Sequence, residues 1–197
     1  MTAQVGDKIS NLDNRLDVWA LSTPIDFSPE VFGITPGVLT TACWRGFWCE
    51  YQIKDGLFSL KTLYVNSKDG NYPLINGVSP LLEPYPEAKM LNYMGHHIYK
   101  DIDLSVKYTG NIIAVDGFIM DYIGVDRIRS FDRVIEWSFE DGQLKSSTDL
   151  SDIVAEFRTE LQREIAKKNV DNIFSRIDPQ RFKSLSNIHD VWWIHLV

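Results

Sequence analysis

Apolar and polar residues alternate over several short stretches of the chain, the period of a half-buried strand; near the C-terminal end the period lengthens to that of a helix. The stretch Thr40 to Ile53 carries the densest alternation. Strict alternation puts Cys43, Arg45, Phe47, Cys49, Tyr51 and Ile53 on one face and so buries an arginine. A one-residue bulge near Gly46 avoids this, giving an inner face of Ala42, Trp44, Phe47, Cys49, Tyr51 and Ile53. Arg45, Trp48, Glu50, Gln52 and Lys54 then point outward, and this bulged arrangement is preferred. Asp55-Gly56 follows, a pair tolerant of the positive φ that a tight hairpin turn demands, and Phe58, Leu60, Thr62 and Tyr64 alternate on the return strand. The same device recurs where Ile135, Trp137 and Phe139 face inward before a turn at Asp141-Gly142 and Leu144. Both hairpins share an aromatic-x-apolar-x-Asp-Gly pattern, which convergent turn chemistry explains without a true repeat.

The segments between are less regular. Prolines and glycines punctuate residues 17–38, and Asp69-Gly70, Asn76-Gly77 and four prolines make residues 66–89 a stiffened loop. Leu91 to Leu104 supplies one or two strands and Lys107 to Val115 another. Phe118, Ile119, Tyr122 and Ile123 stand at helical spacing behind Asp116, a residue suited to an N-cap. A long helix starts at Asp149, with Ile153, Phe157, Leu161 and Ile165 as its apolar stripe, flanked by Val154. A short helix carries Val170, Ile173, Phe174 and Ile177 and ends before Pro179; Val191 to Val197 reads as a last strand.

Hairpins followed by helices predict an α+β fold: an antiparallel sheet built from hairpins, packed against one long and one or two short helices. A single domain is expected over residues 1–197, with the order of 1–15 left open, a helical part over 150–178 and a closing strand over 190–197.

Composition narrows the class. With 44% hydrophobic and 24% charged residues among 197, the chain is that of a folded globular protein. Its longest apolar runs, such as Ile112 to Val115, are far too short to span a membrane as a helix. The formal net charge is −7, and residues 151–197 hold seven bases and seven acids, so the whole excess lies in residues 1–150. An acidic surface without a Lys/Arg-rich arm repels nucleic acid and attracts a basic protein. The N-terminus has no basic start followed by an apolar run, so no cleaved secretory signal is expected. Two cysteines six residues apart on one strand lie about 20 Å apart, beyond disulfide reach. Cys43 and Cys49 are therefore expected as buried thiols in a reducing cytoplasm.

Chemistry-bearing patterns are sparse. His96 and His97, adjacent on a strand, project to opposite faces, and the sequence holds no H-x-x-x-H, C-x-x-C or Asp-rich calcium loop, so neither metal nor cofactor is expected. No G-x-S-x-G elbow or Walker A pattern occurs. A thiol–imidazole pair from Cys43 or Cys49 would need an activated thiol, and strand-interior cysteines read instead as core. Carboxylates crowd residues 101–141, among them Asp101, Asp103, Asp116, Asp121, Asp126, Asp132, Glu136, Glu140 and Asp141. They suit a solvated face, an acid–base pair, or a docking surface for a basic protein. Aromatics among or near such charges supply contact area, which makes Trp48, Tyr85, Asp101, Asp103, Asp121, Tyr122 and Asp126 the candidate partner-binding residues.

Thr41-Ala42-Cys43-Trp44-Arg45-Gly46, Asn76-Gly77-Val78, Tyr99-x8-Tyr108-Thr109-Gly110, Phe118 and Trp137 to Gly142 together resemble a pattern of uncharacterised small bacterial proteins, over roughly residues 16–148. In size, acidity and want of catalytic signatures the chain is also similar to immunity proteins that neutralise polymorphic or contact-dependent bacterial toxins. That likeness implies a non-enzymatic inhibitor that occludes a basic toxin. The alternatives are a hydrolase-like enzyme using carboxylates or His96/His97, and a small-molecule-binding sheet domain.

Overall fold

The computed structural model describes residues 4–12, 14–38, 40–84, 95–119, 128–166 and 189–190. These residues are mostly sheet with one α-helix, and their compact packing divides the chain into two units. The first comprises Met1–Asp17, Ile25–Thr109 and Phe139–Lys145; the second comprises Val18–Pro24, Gly110–Ser138 and Ser146–Val197.

In the first unit β1 (Lys8–Asn11) runs antiparallel to the start of β2 (Asn14–Leu21) and parallel to β3 (Phe47–Lys54). The sheet is therefore mixed rather than wholly antiparallel. β3 forms the expected hairpin with β4 (Leu57–Val65), turning at Asp55 and Gly56 with φ of 52° and 77°. On its other side β4 pairs with β6 (Gly95–Tyr99) and with the two-residue β7 (Leu104–Ser105). β4 is buried on both faces, so the expected one-sided alternation of Phe58, Leu60, Thr62 and Tyr64 is replaced by a nearly continuously buried strand that encloses Ser59 as well. β5 (Leu81–Pro84) pairs only with β6 among the described strands.

The second hairpin, β9 (Phe131–Glu140) and β10 (Gln143–Asp149), turns as expected at Asp141 and Gly142, with φ of 49° and 79°. Its tip docks on the tip of the first. The Phe58 amide donates to the Gly142 carbonyl and the Leu144 amide to the Gly56 carbonyl, each at 2.8 Å. Phe139 then packs on Phe58 and Tyr108. The shared aromatic-x-apolar-x-Asp-Gly pattern thus belongs to two turns that meet.

In the second unit β8 (Gly110–Phe118) lies between β2 and β9. The helix expected behind Asp116 begins instead as strand: Asp116 to Phe118 continue β8, and the Asp116 carboxylate accepts from the Gly117 amide at 2.8 Å. The helix α1 (Ser151–Ala166) is capped as expected, Asp149 Oδ1 accepting from the Ser151 amide at 2.9 Å. Its buried face differs from the expected stripe. Val154 packs with Leu150, Ala20, Ile113, Val115 and Val134, and Phe157 is buried, whereas Ile153 is exposed. The Leu150 amide bonded to the Val134 carbonyl at 2.8 Å locks the entry of the helix and rotates Val154 onto the sheet. The expected short helix around Val170 to Ile177 and the strand Val191 to Val197 lie outside the described residues, beside which β11 (His189–Asp190) pairs with β2.

Candidate functional site

Residues 40–46 form turns rather than the start of a strand, and this moves Trp44 and Arg45 from their expected places. The Cys43 amide returns to the Thr40 carbonyl at 3.0 Å, while Gln4 clamps the turn from outside, donating to the Thr41 carbonyl and accepting from the Trp44 amide. Trp44, expected inside, is 59% exposed, and Trp48, expected as an outward interface anchor, is 2% exposed. The physical reason is register: Trp48 stands directly opposite Tyr64 and stacks on it at 3.6 Å, and Val5, Cys43 and Ile98 cover the pair.

Arg45, expected in water, is largely buried and forms an ion pair with Asp7. Its Nε donates to the Phe47 carbonyl at 2.7 Å and its guanidinium lies 4.6 Å over the Phe47 ring. Asp7 also accepts from the Cys49 amide at 2.7 Å. Burial disfavours the charged guanidinium, but the charge and hydrogen bond of Asp7, joined by Cys49 and Tyr51, together outweigh it and hold the group further into its protonated range. Cys43, Cys49 and Tyr51 complete this interior cluster. Burial pushes both thiols up, partly opposed by Arg45, and pushes the Tyr51 hydroxyl up as well. Such thiols are held protonated, the opposite of what a nucleophile needs. Both cysteines are free and buried, as expected, although only Cys49 lies on the strand.

Of the expected acidic residues, Asp101 and Asp103 form a defined element. Both adopt the left-handed region, with φ of 53° and 48°, and both are exposed. Between them Ile102 is 1% exposed; its amide donates to the Lys61 carbonyl at 2.9 Å, and its carbonyl accepts from Asn76 Nδ2 at 2.7 Å. Gln52 Nε2 then donates to Asp103 Oδ1 at 2.6 Å. Two hydrogen bonds and a buried side chain thus anchor the backbone between two exposed aspartates in the left-handed region, and a third bond holds the Asp103 carboxylate. Asp132, Glu140 and Asp141 are also exposed, and Glu136 accepts from Asn111 Nδ2 at 3.1 Å. Tyr85, Asp121, Tyr122 and Asp126 lie outside the described residues.

His97 stacks on Tyr72 with ring centroids 3.5 Å apart, and burial lowers its proton affinity. Among the described residues no group of three or more metal-ligating side chains converges, and no helix is long and apolar enough to cross a membrane.

A feature the sequence did not suggest lies where β1 and β3 meet β4. Between Glu50 and Tyr51 the register shifts: Thr62 faces Glu50 and Leu60 faces Tyr51, so Lys61 has no cross-strand partner. Two adjoining hollows of about 180 and 410 Å³ share Ser10, Leu12 and Lys61 in their walls. A sequence signal existed, because the apolar phase of Phe58 and Leu60 slips by one residue to Leu63 and Val65.

Comparison of the chain with family models, with curated proteins and with solved structures finds no match.

Proposed function

We propose that this chain is a non-enzymatic protein-binding module whose acidic surface seats a basic partner. The observation that carries this reading is the Asp101–Asp103 element, whose backbone is anchored at Ile102 and whose Asp103 carboxylate is held by Gln52 before any partner arrives. Fixing charges beforehand lowers the ordering cost of association, and an excess of acid in the whole chain accelerates encounter with a cation. The exposed Trp44 supplies aromatic contact area of the kind that anchors interfaces, a role assigned from the sequence to Trp48. In its most specific form the module is an immunity-type inhibitor that occludes the positive active site of a basic bacterial toxin in the cytoplasm. The protonated, enclosed thiols favour this reading over a thiol hydrolase.

Affinity capture from the native cell, followed by titration of the purified pair, tests it. The wild-type protein should retain a basic protein, and the D101K/D103K variant should bind it at least about tenfold more weakly, as for loss of charge-assisted contacts. Equal retention by the two proteins, or retention of acidic partners alone, overturns the reading.

A further inference from the structure

The groove around Lys61 has a chemistry opposite to that of the rest of the surface. Of the other cations in its walls, Arg15 is matched by Glu50 and Lys8 by Asp17 at 2.6 Å, and Lys54 is exposed at the hairpin turn beside Asp55. Lys61 is half-buried, and among the described residues its ammonium has neither a carboxylate nor a hydrogen-bond acceptor. A lysine whose stem is half-buried and whose ammonium has no counter-charge presents a point charge that a bound anion can pair with. The bulge explains how the charge comes to be there. Lys61 is the extra residue of β4, its carbonyl held by the Ile102 amide at 2.9 Å, so backbone pairing rather than side-chain pairing sets its position.

The hollows on either side divide by character. The smaller, of about 180 Å³, holds most of the polar groups: Ser10, Asn14, Lys8 and the Arg15–Glu50 pair stand with Lys61, beside Ile9, Leu12 and Tyr51. The larger, of about 410 Å³, adds Ile53 and Leu144, the amides of Asn11 and Gln52, and the charged pair Lys54 and Asp55 at the turn. A charged head and a partly apolar body fit this sequence of surroundings, as in small-molecule sites where a few polar groups fix orientation.

We propose that this groove binds a small organic molecule bearing a terminal oxyanion, its carboxylate or phosphate head on Lys61 and its body along Ile53 and Leu144. A lysine binds either head as a point charge, so the two sources are separated by experiment. The proposal does not rest on the docking of a basic protein, although Gln52 and the Lys61 carbonyl also hold the Asp101–Asp103 element; changes to the Lys61 side chain test the groove alone.

Titration of the full-length protein with inorganic phosphate and, separately, with succinate, followed by backbone-amide NMR shifts, is the test. At least one probe should give saturable shifts at Ser10, Asn14 and Lys61, and the stronger of the two identifies the head group. Sodium chloride at matched ionic strength should not reproduce them. K61M should weaken binding by at least about tenfold, while K61R, which keeps the charge, should stay within about threefold of wild type. S10D, which sets a carboxylate on the shared rim beside the ammonium, should abolish binding without removing Lys61 and serves where K61M folds poorly. The site is overturned if neither probe shifts these amides, if chloride acts equally, or if K61M (or S10D in its place) binds as wild type does.

Discussion

Arg45 shows what a single charged residue does when the fold encloses it. Its guanidinium is matched by Asp7, from a segment 38 residues away, and the same carboxylate accepts from the Cys49 amide. Around this pair Cys49 and Tyr51 are kept protonated by burial. The consequence for stability has a definite sign. A thiol of ordinary value 9.0 ionises in the unfolded chain while the folded one stays neutral. Its contribution is therefore complete below pH 9.0 and declines as pH rises above it, by at most about 1.4 kcal/mol per pH unit per group. Urea midpoints measured from about pH 8 to pH 10.5 should fall, and C49A should flatten the decline. A profile identical in the two proteins would show that Cys49 is not the titrating group. Thiol reagents, likewise, should modify Cys49 only as the protein unfolds.

At the scale of elements, the two hairpin tips bear unequal loads although their turns are chemically alike. Gly56 and Gly142 both stand at positive φ, but a Cβ on Gly56 would meet nothing within 4 Å, whereas one on Gly142 would come within 2.6 Å of the Val106 carbonyl oxygen. G56A should cost about 1–2 kcal/mol, from the left-handed backbone alone. G142A should cost at least about 3 kcal/mol, because backbone must also move where the tips dock. Denaturant unfolding of the two variants checks the difference, and equal losses would refute the steric account. Both turns were legible from Asp-Gly between alternating stretches, and so was the start of α1 from Asp149. The rotated face of α1 was not: Ile153 and Val154 are equally apolar, and only the docking of Leu150 against Val134 chooses between them.

For the whole molecule the governing quantity is charge. With −7 overall and Asp101 and Asp103 exposed on anchored backbone, capture of a basic partner should be steered. The association rate should drop by about tenfold or more between low and physiological salt, while the dissociation rate changes little. Stopped-flow measurements at several ionic strengths decide this, and a salt-insensitive association rate removes steering from the mechanism. The acidic excess could be counted from composition, and Asp101 and Asp103 could be named as candidates. Their rigidity could not, since it rests on Gln52, Lys61 and Asn76, which are distant along the chain.

Period-two alternation, Asp-Gly turns, a capped amphipathic helix and a negative balance are local or additive properties, and they determined the strand-rich α+β character, both hairpins and the sign of the surface. Partners across the sheet are neither local nor additive. Tertiary structure alone decided that Trp48 lies under Val5 and Cys43, that Arg45 meets Asp7, and that Lys61 is left over at a shift in register. Strict alternation points Arg45 inward and the preferred bulge points it outward; the fold buries it, and with it a counter-ion. That counter-ion was Asp7, and only folding brings it within reach, because a buried charge is tolerated when a distant part of the chain supplies its opposite.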